Sequence, residues 1–313
     1  MLGKTAGGLF WMFRYMERSE NTARLVDAGF HIALTRSVAA DDEWVSVLTT
    51  AGVKEAFLAR HEQISAGAVI DFLLRDRSNS SSVMSVVDAA RSNARMVRTA
   101  LTREVWEATN ECWITLKDAL ARPVRERELP AVLNLIRQQS ALVRGALHGT
   151  MLRNDIFNFA RLGTFFERAD NTARILDVKY YVLLPSISYI GSSLDNVQWE
   201  TILRSVSAQR AYRWLNDGDA NPRSIADFLI LDQRLPRSLA FCYSKIIANL
   251  SYLAEDYGMR TPCHDMAEAL YARLKNRTID SVFEIGLHEF IERFLSDNND
   301  LGLQIEKDYG FYG

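Results

Sequence analysis

The sequence predicts an all-α protein, a helical bundle built from a tandem internal duplication whose two copies are related by a pseudo-twofold axis. Only 6 prolines interrupt its 313 residues, and apolar residues recur with the 3.6-residue helical period through long windows of the chain. Helix starts are marked by Thr102, by Asn221 before Pro222, and by Thr261 before Pro262. We count about a dozen helices and no convincing strand.

The duplication is visible in two short segments that share their polar residues. ERSENTARLVD begins at Glu17 and ERADNTARILD begins at Glu167, and seven of their eleven positions are identical. Further matches follow in the same order, at Trp44 and Trp199, Asp71 and Asp227, and Asn93 and Asn249. A repeat of this length is far longer than the units of solenoid proteins.

We therefore predict a single domain of residues 1–313 made of four parts. These are a first copy at 8–120, a connection and linking helix at 121–154, a second copy at 155–276 and a C-terminal extension at 277–313. The copies could form separate bundles, or they could pack together with the two repeated helices in contact. We favour the second arrangement.

Each repeated segment places a polar stripe along one face of its helix, at about 100° per residue. The first stripe contains Glu17, Asn21, Arg24 and His31. The second contains Glu167, Asn171 and Arg174, with Tyr181 in the place of His31. Apolar residues surround both stripes, so we expect a buried ionic network or a polar cleft rather than a surface row of ion pairs.

Arg18 and Arg168 each follow the first glutamate of their segment directly. Neighbouring residues point about 100° apart on a helix, so neither arginine can pair with that glutamate. Each therefore needs a partner from another helix or from a ligand. Three interpretations remain open for the stripes: a structural network, a binding cleft and a catalytic site.

A second basic group occurs only in the first copy. Arg91, Arg95 and Arg98 follow one another at helical spacing, whereas the matching positions of the second copy are Ile247, Ser251 and Ala254. Arginine groups of this kind suit carboxylate or phosphate recognition. We therefore name these three residues as an anion-binding candidate, beside the alternative of a solvated surface.

No residue pattern predicts a metal or a cofactor. Neither segment contains the Glu-x-x-His pairs of di-metal bundles. The three cysteines, Cys112, Cys242 and Cys263, are far apart and form no Cys-x-x-Cys motif. We expect no metal site, no cofactor and no disulfide framework.

The charge balance argues against nucleic acid and membranes as partners. The formal net charge is -2 and 24% of the residues are charged. No segment approaches the roughly 18 consecutive apolar residues that span a bilayer, and the apolar run near the N-terminus is too short for a secretory signal. We expect a cytoplasmic protein.

Three segments resemble one known family. They are LFWMFRYMERSENTARLVD near the start, ERADNTARILD in the middle, and NSSSV followed by AARSNARMVR. The sequence is similar to the bacterial alpha-E domain family, all-helical domains of unknown function that are named for an ER motif. The similarity extends over nearly the whole chain. It departs at Ser80, where the family usually has proline.

The resemblance implies a genomic setting rather than an activity. Alpha-E proteins are typically encoded beside, or fused to, a circularly permuted ATP-grasp protein and a transglutaminase-like protein, sometimes with a proteasome-like peptidase. That setting implies a system that makes or modifies a peptide through amide bonds. The motif residues carried over are Glu17, Arg18, Asn21, Arg24, Glu167, Arg168, Asn171 and Arg174, and none brings a catalytic role.

Our first hypothesis is an accessory protein of an ATP-grasp amide-ligase system, which binds the ligase, a peptide or an anionic ligand. The first alternative is an enzyme of the same pathway that uses Glu17 or Glu167 as a general acid or base, with a raised pKa. The second alternative is an oligomerisation scaffold.

Overall fold

The computed structural model describes the backbone of residues 1–35, 40–183, 193–216 and 221–312, and the side chains of 1–34, 44–177, 199–216 and 221–312. The side chain of Tyr181 therefore lies outside the described residues. Within them the chain forms fifteen α-helices and two short 3-10 helices, and no strand. The all-α prediction is confirmed.

The helices follow one another with short connections. Those before residue 155 are α1 (Gly3–Thr35), α2 (Ala40–Thr50), α3 (Lys54–Leu58), α4 (Ala66–Leu74), α5 (Val83–Met96), α6 (Arg103–Ala119) and α7 (Leu129–Thr150). Those that follow are α8 (Asp155–Leu183), α9 (Ser193–Ser205), α10 (Gln209–Leu215), α11 (Pro222–Ile230), α12 (Leu239–Tyr257), α13 (Pro262–Lys275), α14 (Ile279–Ile285) and α15 (Leu287–Asp308).

The predicted helix starts are confirmed by their capping bonds. The side chain of Thr102 accepts a hydrogen bond from the backbone of α6, and that of Asn221 accepts one from the backbone of α11. Thr261 and His264 form a reciprocal capping box at the start of α13. Each cap satisfies backbone N–H groups that the helix itself leaves without partners.

The two helices that carry the repeated segments, α1 and α8, pack directly against each other and against helices of both halves. They approach closely at Gly163, where a Cβ would lie 2.1 Å from the carbonyl oxygen of Phe10. The repeated helices are thus in contact, as in the arrangement that we favoured. No helix of the described part of the chain is long and apolar enough to cross a membrane.

Two apolar cores lie on either side of this helix pair. Met12, Phe13 and Met16 of α1 belong to the core shared with α2–α7 and the start of α8, whereas Leu9 and Phe10 belong to the core shared with α8–α15. Because apolar packing surrounds α1 and α8, the polar stripes between them are largely removed from solvent.

Candidate functional site

The two ER motifs exchange their ion pairs between α1 and α8. Arg18 donates two hydrogen bonds to Glu167, from Nε to Oε1 at 2.5 Å and from Nη2 to Oε2 at 2.9 Å. Arg168 donates two to Glu17, from Nε to Oε1 at 2.9 Å and from Nη2 to Oε2 at 3.0 Å. Each arginine thus finds its partner on the other helix, as its position on the helical wheel predicts.

The two glutamates of these pairs are almost completely buried. Glu17 is 1% exposed and Glu167 is 4% exposed. A buried carboxylate is tolerated only when opposite charges and hydrogen bonds replace the lost water. Two-point pairing with a planar guanidinium group meets that requirement and also fixes the relative position of the two helices.

The first ER motif is enclosed by guanidinium groups from other parts of the fold. Arg144 of α7 contacts both Glu17 and Glu20. Arg237, in the loop before α12, lies 3.1 Å from Glu17 and 2.5 Å from Glu20. Arg24 completes the set with hydrogen bonds of 3.0 and 2.7 Å to Glu20. These two carboxylates are therefore surrounded by positive charge.

The second ER motif has a sparser environment. Glu167 receives a further hydrogen bond from Arg14 at 3.0 Å, and Asp170 receives one from Arg174 at 2.7 Å. Asn21 links the two motifs, since its Nδ2 donates to the backbone oxygen of Glu167 at 3.3 Å.

The electrostatic surroundings keep both ER glutamates ionised. Burial alone would raise the pKa of Glu17, but Arg168 and Arg237 outweigh it and hold that pKa well below its ordinary range. Arg18 similarly overcomes burial at Glu167 and lowers its pKa to about 2. The raised pKa values expected in the enzymatic alternative are therefore wrong, because each carboxyl group faces guanidinium groups rather than apolar walls.

A cavity of about 220 Å³ opens over the second ER motif. Its walls come from α1, from the turn between α2 and α3, from the end of α4, from the loop before α5, and from α8. The polar lining residues are Arg18, Asn21, Thr22, Thr50, Ser81, Glu167, Asp170, Asn171 and Arg174. Five of the eight predicted ER-motif residues thus meet at one concave surface: Arg18, Asn21, Glu167, Asn171 and Arg174.

Two residues that line this cavity each have a buried polar atom with no hydrogen-bond partner among the described residues, namely Nδ2 of Asn171 and Oγ1 of Thr50. Asn171 is 8% exposed and Thr50 is 4% exposed. Buried polar atoms are nearly always hydrogen-bonded to protein or water, since an unpaired one costs about 1–3 kcal/mol.

The two motifs sit in matching backbone surroundings. Nη1 of Arg24 donates to the backbone oxygen of Ser205 at 2.9 Å, and Nη1 of Arg174 points at the backbone oxygen of Thr50 at 3.5 Å. Both acceptors precede a residue with positive φ by two positions, Ser207 at 56° and Gly52 at 70°. The two motifs therefore share this contact between an arginine and the backbone, although other side chains around them differ.

The other predicted site residues lie away from this cavity. His31 has a side chain that is 50% exposed, and its Nδ1 lies 2.8 Å from the backbone oxygen of Asp27. Asp27 pairs at 3.0 Å with Arg137. This local cluster does not join the buried ER network.

The arginine group of the first copy lies on the surface between α5 and α6. Arg91 covers the ring of Trp113 at 4.1 Å, and Arg98 covers Trp106 at 5.1 Å. Arg95 is exposed. Because α5 ends at Met96, the three residues do not form one continuous helical stripe. Two of the guanidinium groups are committed to aromatic rings, and anion binding here stays a prediction.

Metal-binding and thiol chemistry find little support in the described residues. No three His, Cys, Asp or Glu side chains of that part of the chain are grouped to hold a metal ion. Cys112, Cys242 and Cys263 are buried, and burial raises the pKa of each thiol to about 12.

Sequence reasoning missed three arginines of the network, Arg14, Arg144 and Arg237. None belongs to a repeated motif, and Arg144 and Arg237 lie far from it along the chain. The one available signal is at Arg237, which stands in the second copy where the first copy has Ser81, an asymmetry visible in the aligned sequence.

A family model agrees with these features. It describes Alpha-E, a predicted alpha-helical domain with a conserved ER motif, and it matches residues 1–309. No curated protein and no solved structure matches this chain.

Proposed function

Because this chain belongs to the Alpha-E family, we propose that it is a helical accessory protein of an amide-ligase system and binds a peptide in the cavity over its second ER motif. The partners implied by the family resemblance are a circularly permuted ATP-grasp protein and a transglutaminase-like protein. In this proposal the chain acts in the cytoplasm, where the ligase has ATP. It presents or retains the peptide while the ATP-grasp partner forms the amide bond.

One observation carries the proposal. Nδ2 of Asn171 and the hydroxyl of Thr50 are buried without a partner among the described residues, and both residues line a cavity whose walls include members of both ER motifs. A ligand with amide and charged groups, such as a peptide, would satisfy them. A small number of convergent polar groups in a concave surface is the usual composition of a ligand site.

The ionisation of the ER glutamates favours binding over catalysis. A general acid must hold a proton near neutral pH, and an effective general base needs a pKa near the working pH. Glu167 has a pKa of about 2 and already receives hydrogen bonds from Arg18 and Arg14. Such a carboxylate is a poor proton donor and a weak base, and its role is to hold guanidinium groups in place.

We also propose the domain organisation predicted from the sequence, one domain with copies at 8–120 and 155–276, joined by 121–154 and followed by 277–313. The exchanged ion pairs of Arg18 and Arg168 support it, because two copies packed about a twofold axis would each supply the partner that the other lacks. The matching backbone around Arg24 and Arg174 supports it as well.

The test is association with the ligase. The tagged chain would be purified from its native host, and co-purifying proteins would be identified by mass spectrometry. We expect the ATP-grasp protein in the eluate, and we expect its amide product to change in amount or length when the chain is deleted. If the chain neither associates with the ligase nor alters its product, the accessory role is wrong.

A further inference from the structure

The loops before α5 and α12 are built alike but carry different side chains at one position. Ser82 caps α5 and Ser238 caps α12, each by accepting a hydrogen bond from a backbone N–H three residues ahead. The residue before the cap is Ser81 in the first loop and Arg237 in the second. Each of these residues faces an ER motif of the other half of the chain.

Arg237 fills the space over the first ER motif. Its guanidinium group lies 3.1 Å from Oε1 of Glu17 and 2.5 Å from Oε1 of Glu20, and it donates to Oδ1 of Asn21 at 3.3 Å. The side chain is only 9% exposed. The protein itself therefore supplies a cation to this position.

Over the second ER motif the same position is vacant. Ser81 lines the cavity together with Glu167, Asp170 and Asn171, which occupy the sequence positions matching those three partners of Arg237. The cavity of about 220 Å³ is several times the roughly 30 Å³ that one water molecule occupies in the liquid.

The charge balance differs between the motifs by one cation. Among the described residues, four guanidinium groups contact Glu17 and Glu20: those of Arg24, Arg144, Arg168 and Arg237. Three contact Glu167 and Asp170: those of Arg14, Arg18 and Arg174. A fourth positive group over the second motif would give both motifs the same number of cations.

We propose that this cavity receives a guanidinium or primary ammonium group of the ligand, in the position that Arg237 fills on the other side of the helix pair. The inference rests on the proposed peptide-binding function and specifies the peptide: it carries an arginine side chain, a lysine side chain or a free amino terminus at this point. Glu167, Asp170 and Asn171 are the groups that bind the cation.

An anionic group in the same cavity would face the carboxylates of Glu167 and Asp170. The two guanidinium groups on the wall are already engaged at two points each, Arg18 with Glu167 and Arg174 with Asp170. An anion would have to compete with these carboxylates for both arginines.

The first test is isothermal titration calorimetry of the full chain with five probes. Four have an uncharged backbone, namely the methylamides of Nα-acetyl-arginine, Nα-acetyl-lysine, Nα-acetyl-norleucine and Nα-acetyl-glutamate. The fifth, glycine methylamide, has a free amino group. We expect at least one cationic probe to bind about tenfold or more tightly than the norleucine probe, since hydrogen bonds to charged groups are the stronger ones. The tightest cationic probe identifies the source of the positive group.

The inference is wrong if the norleucine or glutamate probe binds as tightly as every cationic probe, or if no probe binds. These measurements need no ligase. If the chain binds the cationic probe but does not associate with the ligase, only the accessory role is wrong. If it associates with the ligase but does not bind the cationic probe, only this inference is wrong.

The second test places an arginine side chain of the protein itself in the cavity. Ser81→Arg places a guanidinium group where the second loop has Arg237, so we expect a higher midpoint of thermal unfolding and about tenfold or greater loss of affinity for the cationic probe. Ser78→Arg is the matched control, because Ser78 is exposed in the same loop and its aligned residue, Arg234, pairs with Asp232 away from the motif. It should change neither quantity.

If Ser81→Arg binds the cationic probe with unchanged affinity, the cation binds elsewhere and the inference is wrong. Should that variant not fold, Asn171→Leu replaces it, since leucine keeps the approximate size of the side chain and removes the amide oxygen that matches the Oδ1 of Asn21 to which Arg237 donates. The same loss of affinity is expected, and unchanged affinity again contradicts the inference.

Discussion

The guanidinium group of Arg168 on α8 binds the carboxylate of Glu17 on α1 at two points, with N···O distances of 2.9 and 3.0 Å. The side chain of Glu17 is fully buried and that of Arg168 is 11% exposed. The pair therefore joins the two central helices in a region with little water, where removal of one partner leaves the other charge uncompensated.

Glu17→Gln is expected to destabilise the protein by about 3 kcal/mol or more, because it leaves the buried charge of Arg168 without its carboxylate and removes one of the two carboxylates that Arg144 and Arg237 contact. Urea unfolding followed by circular dichroism measures the change. An unaltered unfolding free energy would mean that Glu17 is not a structural centre of the network.

The matched control for this substitution is Glu107→Gln. Glu107 pairs with Arg103 at 2.7 Å, but both side chains are more than half exposed. Exposed pairs contribute little to stability, so this variant should unfold like the wild type. A similar loss in both variants would indicate a general effect of Glu→Gln substitution.

The sequence predicted the helices and the first partners of the network but not its full extent. Periodicity placed Glu17, Asn21 and Arg24 on one face of the helix and required a partner for Arg18 from another helix or a ligand. In the structure that partner is Glu167. Those conclusions depend only on the geometry of one helix.

Arg144 and Arg237 could not be predicted in the same way. They reach the motif from α7 and from the loop before α12, and contacts between residues so distant in the chain depend on the packing of the whole bundle. The vacancy at Ser81 is the same kind of feature, since it becomes visible only when the space around Arg237 is known.

Acid should destabilise the protein through Glu167. Its pKa is about 2 in the folded chain, against an ordinary value of 4.5, so the folded state binds the proton more weakly than the unfolded state. The stabilisation is fully present above about pH 4.5 and is lost as the pH falls toward 2, a change of about 3 kcal/mol.

Urea unfolding of the wild type and of Glu167→Gln at pH 6, 4 and 3 measures this dependence. The variant lacks the titrating group, so its unfolding free energy should fall less between pH 6 and pH 3. Parallel curves for the two proteins would show that Glu167 does not hold a depressed pKa.

Thr50→Val is expected to stabilise the unliganded protein by about 1 kcal/mol. The hydroxyl of Thr50 is buried with no partner in the described part of the chain, and replacing it by a methyl group removes an unsatisfied polar atom. Thr49→Val serves as the control, since the hydroxyl of Thr49 donates to the backbone oxygen of Val45 at 2.9 Å. Thermal unfolding compares the variants, and a loss of stability in Thr50→Val alone would mean that its hydroxyl is bonded in solution.

Gly163 lies where α1 and α8 approach each other closely, and a larger side chain does not fit there. A Cβ at this position would lie 2.1 Å from the carbonyl oxygen of Phe10 and 3.2 Å from the backbone nitrogen of Arg14. Backbone atoms cannot move aside as the end of a flexible side chain can, so Gly163→Ala must push the helices apart. That displacement would lengthen the ion pairs of both ER motifs.

We expect Gly163→Ala to cost about 3 kcal/mol or more in unfolding free energy, measured by urea unfolding. Gly145→Ala in α7 is the control, because nothing lies within 4 Å of a Cβ there, and alanine in an open helical position should stabilise the chain by about 0.5–1 kcal/mol. Opposite signs for the same substitution would locate the effect in the contact between α1 and α8. Equal signs would contradict the close approach that holds Arg18 and Arg168 opposite their glutamates.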